Sequence, residues 1–581
     1  MATKSKIPAK ACSWDSDLNP DFDLFVRGNA EEIIPGVSSP LTATWFEQMD
    51  YAGAVEIEER IHVHDLVPTY PPPVSNFISF FGGRCVLNLA WANALIATWT
   101  TTEGSGLMEQ FITSDKVAVG GGALKDRSRA EAVQRTVYGR WWPSCVAAID
   151  ANNARIRALG DEQRGMDLGA LSDGAIWRYV VRLEKVIVHV YANHIGVSGA
   201  SGEFASLAGK LLAAELGDRF EESMVAGLTS GLGDIESSLP GFALWDVGRF
   251  VSSKQTLHKE VAAMGAQAID AALTKPKDAA WREFAARFAA FIDEFGFRGQ
   301  SECDVAFPSW SEDHTFVLSV IKANAAAGAE RDPRPHAREG ARLREDLEAR
   351  IEALLSPSAR REFVRYKNWL QTYARGRERT KACWVRAIRL SRPVALEMAR
   401  RATACGLISE PADLWMLTYP EVRAIFAGKP EASYRERIAA RKLEKARLER
   451  FQLPDVFQGI PELVPREAPP EAGGRELAGL GVSAGVASGR ARIITSAAAA
   501  EETDLQPGEV LVAPFTDAAW TPLFVSAAAV VVETGGMLSH AATVAREYGI
   551  PAVVAVRGAT GLIKNGEIVT VDGGAGRITI G

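Results

Sequence analysis

One histidine near the end of the chain stands where a phosphoryl group could be held covalently. His540 follows a glycine turn, Thr534-Gly535-Gly536, and a serine, Ser539, and it opens an amphipathic stretch. A neutral imidazole is a competent nucleophile toward phosphorus near pH 7. The resulting N–P bond is labile enough to pass the group onward. The pattern therefore predicts that His540 is a catalytic residue that carries a phosphoryl group.

The residues next to His540 could hold the anion. A helix N-terminus presents N–H donors and the positive end of its dipole. Gly535 and Gly536 can aim further backbone N–H groups at the same point. Ser539 is predicted to cap the helix or donate a hydrogen bond, and Thr534 offers a second hydroxyl. These four are the predicted phosphate-binding residues, although a histidine after a glycine pair can also be a plain helix cap.

Short β-branched runs separated by glycine turns surround this site. They predict strands with one helix among them, from about residue 539 to residue 548, and together they form an α/β domain over residues 475–581. The strand before the turn would anchor the site rigidly. The predicted strands are residues 489–494, 509–512, 529–532, 552–555 and 568–571.

The rest of the chain has a different character. Residues 126–450 are rich in alanine, leucine, arginine and glutamate at helical spacing. Residues 54–64 alternate apolar and polar side chains and predict a strand. The fold class is therefore multidomain: a large, mostly α-helical (α+β) domain over residues 24–460, preceded by an extension of residues 1–23.

The segment between these domains, residues 461–474, is rich in proline and glycine. Proline stiffens a chain and a glycine pair permits a swing, so this composition is typical of a hinged tether. We predict a flexible linker here that joins the large domain to the small α/β domain.

Composition narrows the classes of function. The net charge of −7 argues against a nucleic-acid partner. No run of 18 apolar residues or signal peptide is evident, which predicts no membrane association. The six cysteines are scattered and form no CxxC pair, which predicts reduced, buried thiols in a cytoplasmic protein. No metal site is predicted, because His62 and His64 lack an evident third ligand.

Residues 533–554 resemble the swivelling phosphohistidine domain of the phosphoenolpyruvate-utilising enzymes. Residues 517–523 and 571–574 fit the same family, so the resemblance covers residues 477–581. It implies that His540 is the phosphorylated residue. Met537-Leu538 departs from the residues usual in phosphoenolpyruvate synthases and pyruvate phosphate dikinases, and it looks more like the rifampicin phosphotransferase branch.

The large domain resembles the acceptor-substrate domain of rifampicin phosphotransferase-like proteins. The matching segments are residues 29–42, 295–304, 308–313 and 377–381. The resemblance implies that Arg377 and Lys381 assist transfer to an acceptor hydroxyl. Their spacing places them on one face of a predicted helix, where two cations could clamp a phosphoryl group. The alternative is an exposed basic face with Glu378 as a salt partner.

Two further features bear on the acceptor site. Arg298 and Glu302 are assigned to substrate binding, with a structural ion pair as the alternative. Aromatic residues could line an apolar pocket, although such stripes more often belong to a core. These aromatic residues are Phe77, Phe80, Phe81 and Trp91.

The source of the phosphoryl group is not evident in the sequence. Full-length relatives carry an ATP-grasp domain, whereas here the acceptor-like region begins near residue 24 and no GxxxxGK[ST] motif occurs. We therefore expect a separate ATP-grasp subunit that binds ATP and Mg²⁺ and charges His540. The histidine-bearing subunit of phenylphosphate synthase resembles this chain in order and approximate size.

The expected function is accordingly an ATP-dependent, dikinase-like phosphotransferase split over two chains. This chain would pass a phosphoryl group from His540 to a hydroxyl of a small aromatic or apolar acceptor, as in phenylphosphate synthase. Three alternatives remain open: a component of a rifampicin-type antibiotic phosphotransferase, a non-catalytic phosphocarrier or regulatory protein, and a scaffold derived from such an enzyme.

Overall fold

The computed structural model divides the chain into two compact units. The first comprises Met1–Glu203, Cys303–Ala306 and Arg379–Glu467, and the second comprises Phe204–Glu302, Phe307–Glu378 and Ala468–Gly581. The structure describes residues 7–8, 12–28, 30–99, 126–431, 433–465, 476–495, 505–537 and 539–581. Of the motifs singled out above, Asn29, Leu538 and residues 466–474 lie outside this part.

The first unit contains seven short strands in its described residues. They are β1 (Ile7–Pro8), β2 (Leu24–Val26), β3 (Ile78–Phe81), β4 (Arg84–Asn88), β5 (Phe451–Gln452), β6 (Val456–Gln458) and β7 (Glu462–Pro465). They form one antiparallel sheet of order β3-β4-β2-β6 and a second of order β1-β7-β5.

Helices form most of the first unit, as the sequence predicts. They are Ala30–Ile33, Pro40–Ile61, Leu89–Ala97, Arg127–Thr136, Trp142–Ala147, Ile149–Arg164, Ser391–Ala404, Tyr419–Phe426 and Arg435–Leu448, with a π-helical turn at Val137–Trp141 and 3₁₀ turns at Leu168–Ala170 and Pro411–Met416. Two long helices, Asp173–Leu216 and Pro357–Arg389, belong in part to each unit.

The prediction of a strand over residues 54–64 is wrong. Ala54, Ile57 and Ile61 are buried at helical spacing in the helix Pro40–Ile61. Ser39 caps this helix by accepting a hydrogen bond from the N–H of Thr42. Local alternation therefore gives way to a longer helical repeat. His62 ends the helix with a φ of 60°, so His62 and His64 do not share a strand face.

Three of the four aromatic residues proposed to line a pocket, Phe80, Phe81 and Trp91, are buried in the first unit, and Phe77 is half-buried. Phe80 and Phe81 are fully buried on β3. The ring of Phe81 lies 4.9 Å from that of Phe25 and 5.9 Å from that of Phe457, measured between centroids. These contacts stabilise the sheet of order β3-β4-β2-β6.

Part of the predicted hinge is a regular strand. Residues Glu462–Pro465 form β7, which pairs with β1 and β5. Residues 462–465 are therefore held in a sheet, and residues 466–474 lie outside the described part. The flexible linker and the domain limits drawn from the sequence stay predictions.

The second unit contains one eight-stranded sheet. Its strands are β8 (Glu476–Ala478), β9 (Leu480–Ser483), β10 (Val486–Ile493), β11 (Val510–Ala513), β12 (Ala529–Val532), β13 (Ala552–Val554), β14 (Ile568–Asp572) and β15 (Arg577–Ile580). The order is β8-β15-β14-β10-β11-β12-β13-β9, and β10 to β13 are mutually parallel. All five predicted strands of this domain are confirmed.

The helices of the second unit fall into two groups. Those before the sheet are Glu222–Gly227, Leu239–Ser253, Gln255–Ala263, Ala266–Thr274, Ala279–Phe295, Thr315–Ala326 and Arg334–Leu354, with 3₁₀ turns at Gly217–Arg219 and Ala329–Arg331. Those within the α/β part are Thr521–Phe524, His540–Tyr548 and Ala559–Leu562, with a 3₁₀ turn at Ala518–Trp520.

One hydrophobic core joins the α/β part of the second unit to its preceding helices. Trp520 and Phe524 from the α/β part share a buried cluster with Leu244 and Val317 from the helices. The hydroxyl of Tyr548 also donates to the carbonyl of Ser238 at 2.7 Å. The two parts of this unit therefore stabilise each other.

Two properties bear on the expected environment of the chain. No helix in the described part is long and apolar enough to cross a membrane. Five of the cysteines are buried, but Cys405 is exposed, so the prediction that all six are buried thiols is wrong for that residue.

The shared core predicts that damage in the sheet spreads to the helices. Leu511 on β11 is fully buried in that core, and Leu511→Ala should lower the free energy of unfolding by about 2–5 kcal/mol. Hydrogen exchange should then rise in the helix Leu239–Ser253 as well as in the sheet. Leu443→Ala is the control, since Leu443 is 75% exposed. Unchanged protection in that helix would contradict the shared core.

Candidate active site at His540

The sheet of the second unit brings two loops together at one edge. β11 and β12 are parallel, and Ala513 at the end of β11 pairs with Val532 at the end of β12. The segments that follow both strands therefore begin side by side, which is where α/β sheets place their sites. One segment leads to the helix Thr521–Phe524, and the other leads through the glycine turn to His540.

His540 is the first residue of the helix His540–Tyr548 and is 5% exposed. Ser539 caps this helix, because its hydroxyl accepts a hydrogen bond from the N–H of Ala542 at 3.4 Å. The helix begins where the sequence predicts. The imidazole thus lies at the positive end of a helix dipole.

Both nitrogens of the His540 ring face threonine hydroxyls. Nδ1 lies 3.1 Å from Oγ1 of Thr516, and Nε2 lies 3.0 Å from Oγ1 of Thr521. The ring of Phe524 approaches edge-on at 5.9 Å between centroids. A neutral imidazole has one N–H and one lone pair, so one threonine accepts a hydrogen bond and the other donates one. The two hydroxyls fix the ring orientation, and because a hydroxyl can donate or accept, either tautomer satisfies both contacts.

The glycine turn before His540 needs glycine at position 535. Gly535 has a φ of 117°, which L side chains rarely adopt. The N–H of Ser539 donates to the carbonyl of Gly536 at 3.0 Å. The hydroxyl of Thr534 donates to the carbonyl of Pro514 at 3.0 Å. The predicted phosphate contacts of Thr534, Gly535, Gly536 and Ser539 stay predictions.

Arg377 contacts the helix that begins at His540. Its Nη2 donates to Oγ1 of Thr543 at 3.2 Å and to Oε1 of Glu378 at 2.7 Å. Thr543 is three residues after His540, so the two lie on one helix face. The ion pair with Glu378 that the sequence suggested as an alternative therefore coexists with a position beside the candidate site.

Lys381 lies one turn after Arg377 in the helix Pro357–Arg389, as the spacing predicts. It is half-buried and belongs to the first unit. Its part in phosphoryl transfer stays a prediction.

Arg298 and Glu302 form a buried ion pair. The Nη1 atom of Arg298 lies 2.9 Å from Oε2 of Glu302, and both side chains are 2% exposed. Burial opposes the charged form, but the carboxylate of Glu302 outweighs it, so the pKa of Arg298 is raised above its ordinary value. The two residues thus form the ion pair that the sequence offered as the alternative, and substrate binding by this pair stays a prediction.

The loop of this ion pair abuts the loop that holds the imidazole. Ser301 has a φ of 51°, unusual for a residue with a side chain, and its N–H donates to Oδ2 of Asp517 at 3.1 Å. The other oxygen of Asp517 accepts from the N–H of Ala519 at 2.9 Å. Asp517 follows Thr516 directly, so the contact helps to place that hydroxyl.

Sequence reasoning missed Thr516 and Thr521 as contacts of His540. Both follow β11, and Thr521 lies within the segment 517–523 already singled out for its resemblance. Two hydroxyls just beyond the carboxyl end of a buried parallel strand were an available signal. Arg546, which is 4% exposed, was also missed.

Two family profiles match the chain. The profile described as "PEP-utilising enzyme, mobile domain" matches residues 505–576, which include His540, Thr516 and Thr521. The profile described as "Rifampicin phosphotransferase fourth domain" matches residues 194–378, which include Arg298 and Arg377. The chain carries both domains. The fourth-domain match contains most helices of the second unit, and the mobile-domain match contains four of the eight strands of its sheet, β11 to β14.

Curated relatives extend well beyond the matched region. The prodigiosin synthesizing transferase PigC of Serratia marcescens is 36% identical over 301 residues, which are 50% of this chain and 33% of that protein. A rifampicin phosphotransferase of Bacillus subtilis is 33% identical over 298 residues, 50% of this chain and 34% of that protein. One from a Streptomyces species is 30% identical over 394 residues, 63% of this chain and 43% of that protein.

The two threonines of the mobile domain should affect phosphorylation unequally. The hydroxyl beside the nucleophilic nitrogen must move aside for phosphorus, whereas the other holds the ring N–H. Thr516→Val and Thr521→Val each remove one hydroxyl. The variant that loses the hydroxyl bound to the ring N–H should be phosphorylated by phosphoramidate ~10-fold more slowly, which is the worth of one hydrogen bond. The other variant should stay near the wild-type rate. NMR of the ring nitrogens identifies the phosphorylated atom, and equal rates in both variants would refute this division.

Proposed function

We propose that this chain is the phosphohistidine-carrying component of a phosphotransferase. His540 accepts a phosphoryl group and passes it to a hydroxyl of a small aromatic or apolar acceptor. The observation that carries the proposal is the buried imidazole, held by two hydroxyls at a helix N-terminus within a mobile domain. A histidine that only capped a helix would not need both ring nitrogens oriented.

The chemistry takes two displacements at phosphorus. In the first, the lone pair of one ring nitrogen forms the P–N bond while the P–O bond to the donor breaks and its electron pair leaves with oxygen. In the second, the acceptor oxygen forms a P–O bond, the P–N bond breaks, and its electron pair returns to the ring. The acceptor hydroxyl proton leaves to solvent. The N-terminal N–H groups of the helix and Arg377 stabilise charge on the phosphoryl oxygens.

The burial of His540 bears on how the donor reaches it. With the ring 5% exposed and both nitrogens against hydroxyls, direct entry of a nucleotide is blocked in this arrangement. We propose that the mobile domain alternates between a charging position and an acceptor-facing position. The described structure fits the closed arrangement, in which water is kept from a labile N–P bond.

We propose that a separate ATP-grasp subunit charges His540. ATP and Mg²⁺ would bind on that subunit, where the cation neutralises the triphosphate. The support is the resemblance of this chain, in order of segments, to the histidine-bearing subunit of phenylphosphate synthase. An ATP-grasp module on the same polypeptide is the competing arrangement.

A rifampicin-type antibiotic phosphotransferase is the second candidate. It is favoured by the match of residues 194–378 to a rifampicin phosphotransferase domain and by relatives that carry that name. The two candidates share His540 and differ in the acceptor, a small phenol in one case and a large antibiotic in the other. Product analysis with both acceptor classes separates them.

Labelling tests the carrier role. The chain is incubated with β- or γ-labelled ATP and candidate ATP-grasp subunits, and acid-labile, base-stable label is measured. We expect label on the wild type and none on His540→Ala. His336→Ala is the matched control, since His336 is an exposed histidine of the same unit. Label that persists in His540→Ala would overturn the assignment, and label that never reaches an acceptor would favour a phosphocarrier.

The two cations predicted from the 377–381 motif should act only in the second displacement. Arg377→Ala and Lys381→Ala should each slow transfer to the acceptor ~100-fold, the typical loss for one electrostatic contact in a transition state. Labelling of His540 should continue in both. Arg379→Ala is the control on the same helix, since Arg379 forms a surface ion pair with Asp150. Product formation at the normal rate would refute the assigned role.

A further inference from the structure

Arg546 is a buried cation in the helix that carries His540. It lies six residues after His540 in the helix His540–Tyr548 and is 4% exposed. An arginine on an amphipathic helix normally turns its guanidinium to water. Its burial therefore requires a reason.

In the described part of the chain, backbone carbonyls and no carboxylate hold the guanidinium of Arg546. Nη2 donates to the carbonyl of Met537 at 2.9 Å, and Nη1 donates to the carbonyl of Val482 at 3.3 Å. Nε has no hydrogen-bond partner among the described residues. A buried charge without an ion-pair partner destabilises the folded state, so stability alone does not explain this arginine.

The charges that face Arg546 do not neutralise it. Burial and repulsion from Arg377 lower the pKa of Arg546 to about 10, against attraction from Glu547 and Glu378. The carboxylate of Glu547 accepts hydrogen bonds from the N–H groups of Leu232 and Gly233, both at 2.9 Å. The carboxylate of Glu378 is 2.7 Å from Arg377. Each nearby acid is thus already engaged elsewhere.

The carbonyl of Met537 links Arg546 to the candidate site. Met537 lies three residues before His540, in the segment that joins the glycine turn to the helix. The bond from Arg546 therefore restrains the backbone that positions the imidazole. The same bond places a positive charge in a region of low dielectric constant close to that backbone, where charge acts more strongly than in water.

We propose that Arg546 is a positioning residue and a built-in counter-charge for phosphorylated His540. It holds the turn through Met537, and its buried positive charge stabilises the dianionic phosphoryl group, which is the partner that the unphosphorylated protein lacks. The inference rests on the proposed function, since it requires phosphorylation of His540. It assigns Arg546 to retention of the phosphoryl group, whereas Arg377, which contacts Thr543, is assigned to its transfer.

The test compares charge-retaining and charge-removing variants of the full chain. Wild type, Arg546→Lys, Arg546→Met and Arg546→Gln are phosphorylated with phosphoramidate, and the phosphoryl group is titrated by ³¹P NMR. We expect the neutral variants to show about a tenfold lower acid dissociation constant of the phosphoryl group, as loss of one nearby buried charge implies. The phosphoryl group should also be lost faster near neutral pH, because protonation promotes P–N cleavage. Arg546→Lys should titrate like the wild type.

A matched control separates charge from folding. Arg84 is also buried, is 1% exposed, and donates to the backbone carbonyl of Leu448 at 3.1 Å in the first unit. Arg84→Met should destabilise the chain without moving the ³¹P titration. If Arg546 has only a structural role, the phosphoryl group should titrate alike in Arg546→Lys and in the neutral variants. That result would overturn the proposal.

Two further readouts keep the failures distinct. If phosphoramidate does not phosphorylate His540 in the wild type, the proposed function fails. If His540 is labelled but the neutral variants do not fold, the wild type is compared with its own urea-unfolded form. The proposal then requires a higher acid dissociation constant of the phosphoryl group in the folded chain, and equal values overturn it.

Discussion

The second unit depends on one placement: a buried helix N-terminus at the carboxyl edge of two parallel strands. The pairing of Ala513 with Val532 sets the start of both following segments. One segment supplies the threonine hydroxyls and the other supplies His540 itself. A shift of this register by one residue would turn the side chains at the strand ends to the opposite face. The position of the imidazole therefore depends on strand pairing as well as on the residues next to the histidine.

In this arrangement the helix of His540 is held at three of its residues by the rest of the second unit. At its end, Glu547 and Tyr548 bond to the backbone of the preceding helical part, and near its start Arg377 bonds to Thr543. These contacts hold the dipole of the helix in a fixed orientation, so the dipole does not reorient when a phosphoryl group arrives. Such preorganised polar groups stabilise developing charge without a cost of reorganisation.

Sequence patterns revealed those features that depend on local composition. Buried parallel strands are continuous β-branched runs, so β11 and β12 could be predicted, and a serine before a periodic stretch marked the start of the helix. The helix over Pro40–Ile61 ends in a short alternating run that resembles a strand, and only the buried repeat before that run distinguishes it from one. Thr516 could not be placed beside His540, since that contact depends on sheet register. The burial of Arg546 contradicts residue preference, and only packing reveals it.

Among the described residues of the second unit, two buried arginines show why partners matter more than burial. Arg298 faces the carboxylate of Glu302, and the pair contributes little net field at a distance. Arg546 faces carbonyl dipoles, so its full charge remains effective around it. The raised pKa of Arg298 and the lowered pKa of Arg546 follow from this difference. The counter-charge proposed for phosphorylated His540 therefore depends on carbonyl partners in place of a carboxylate at Arg546, whereas substrate binding by the Arg298 pair stays a prediction.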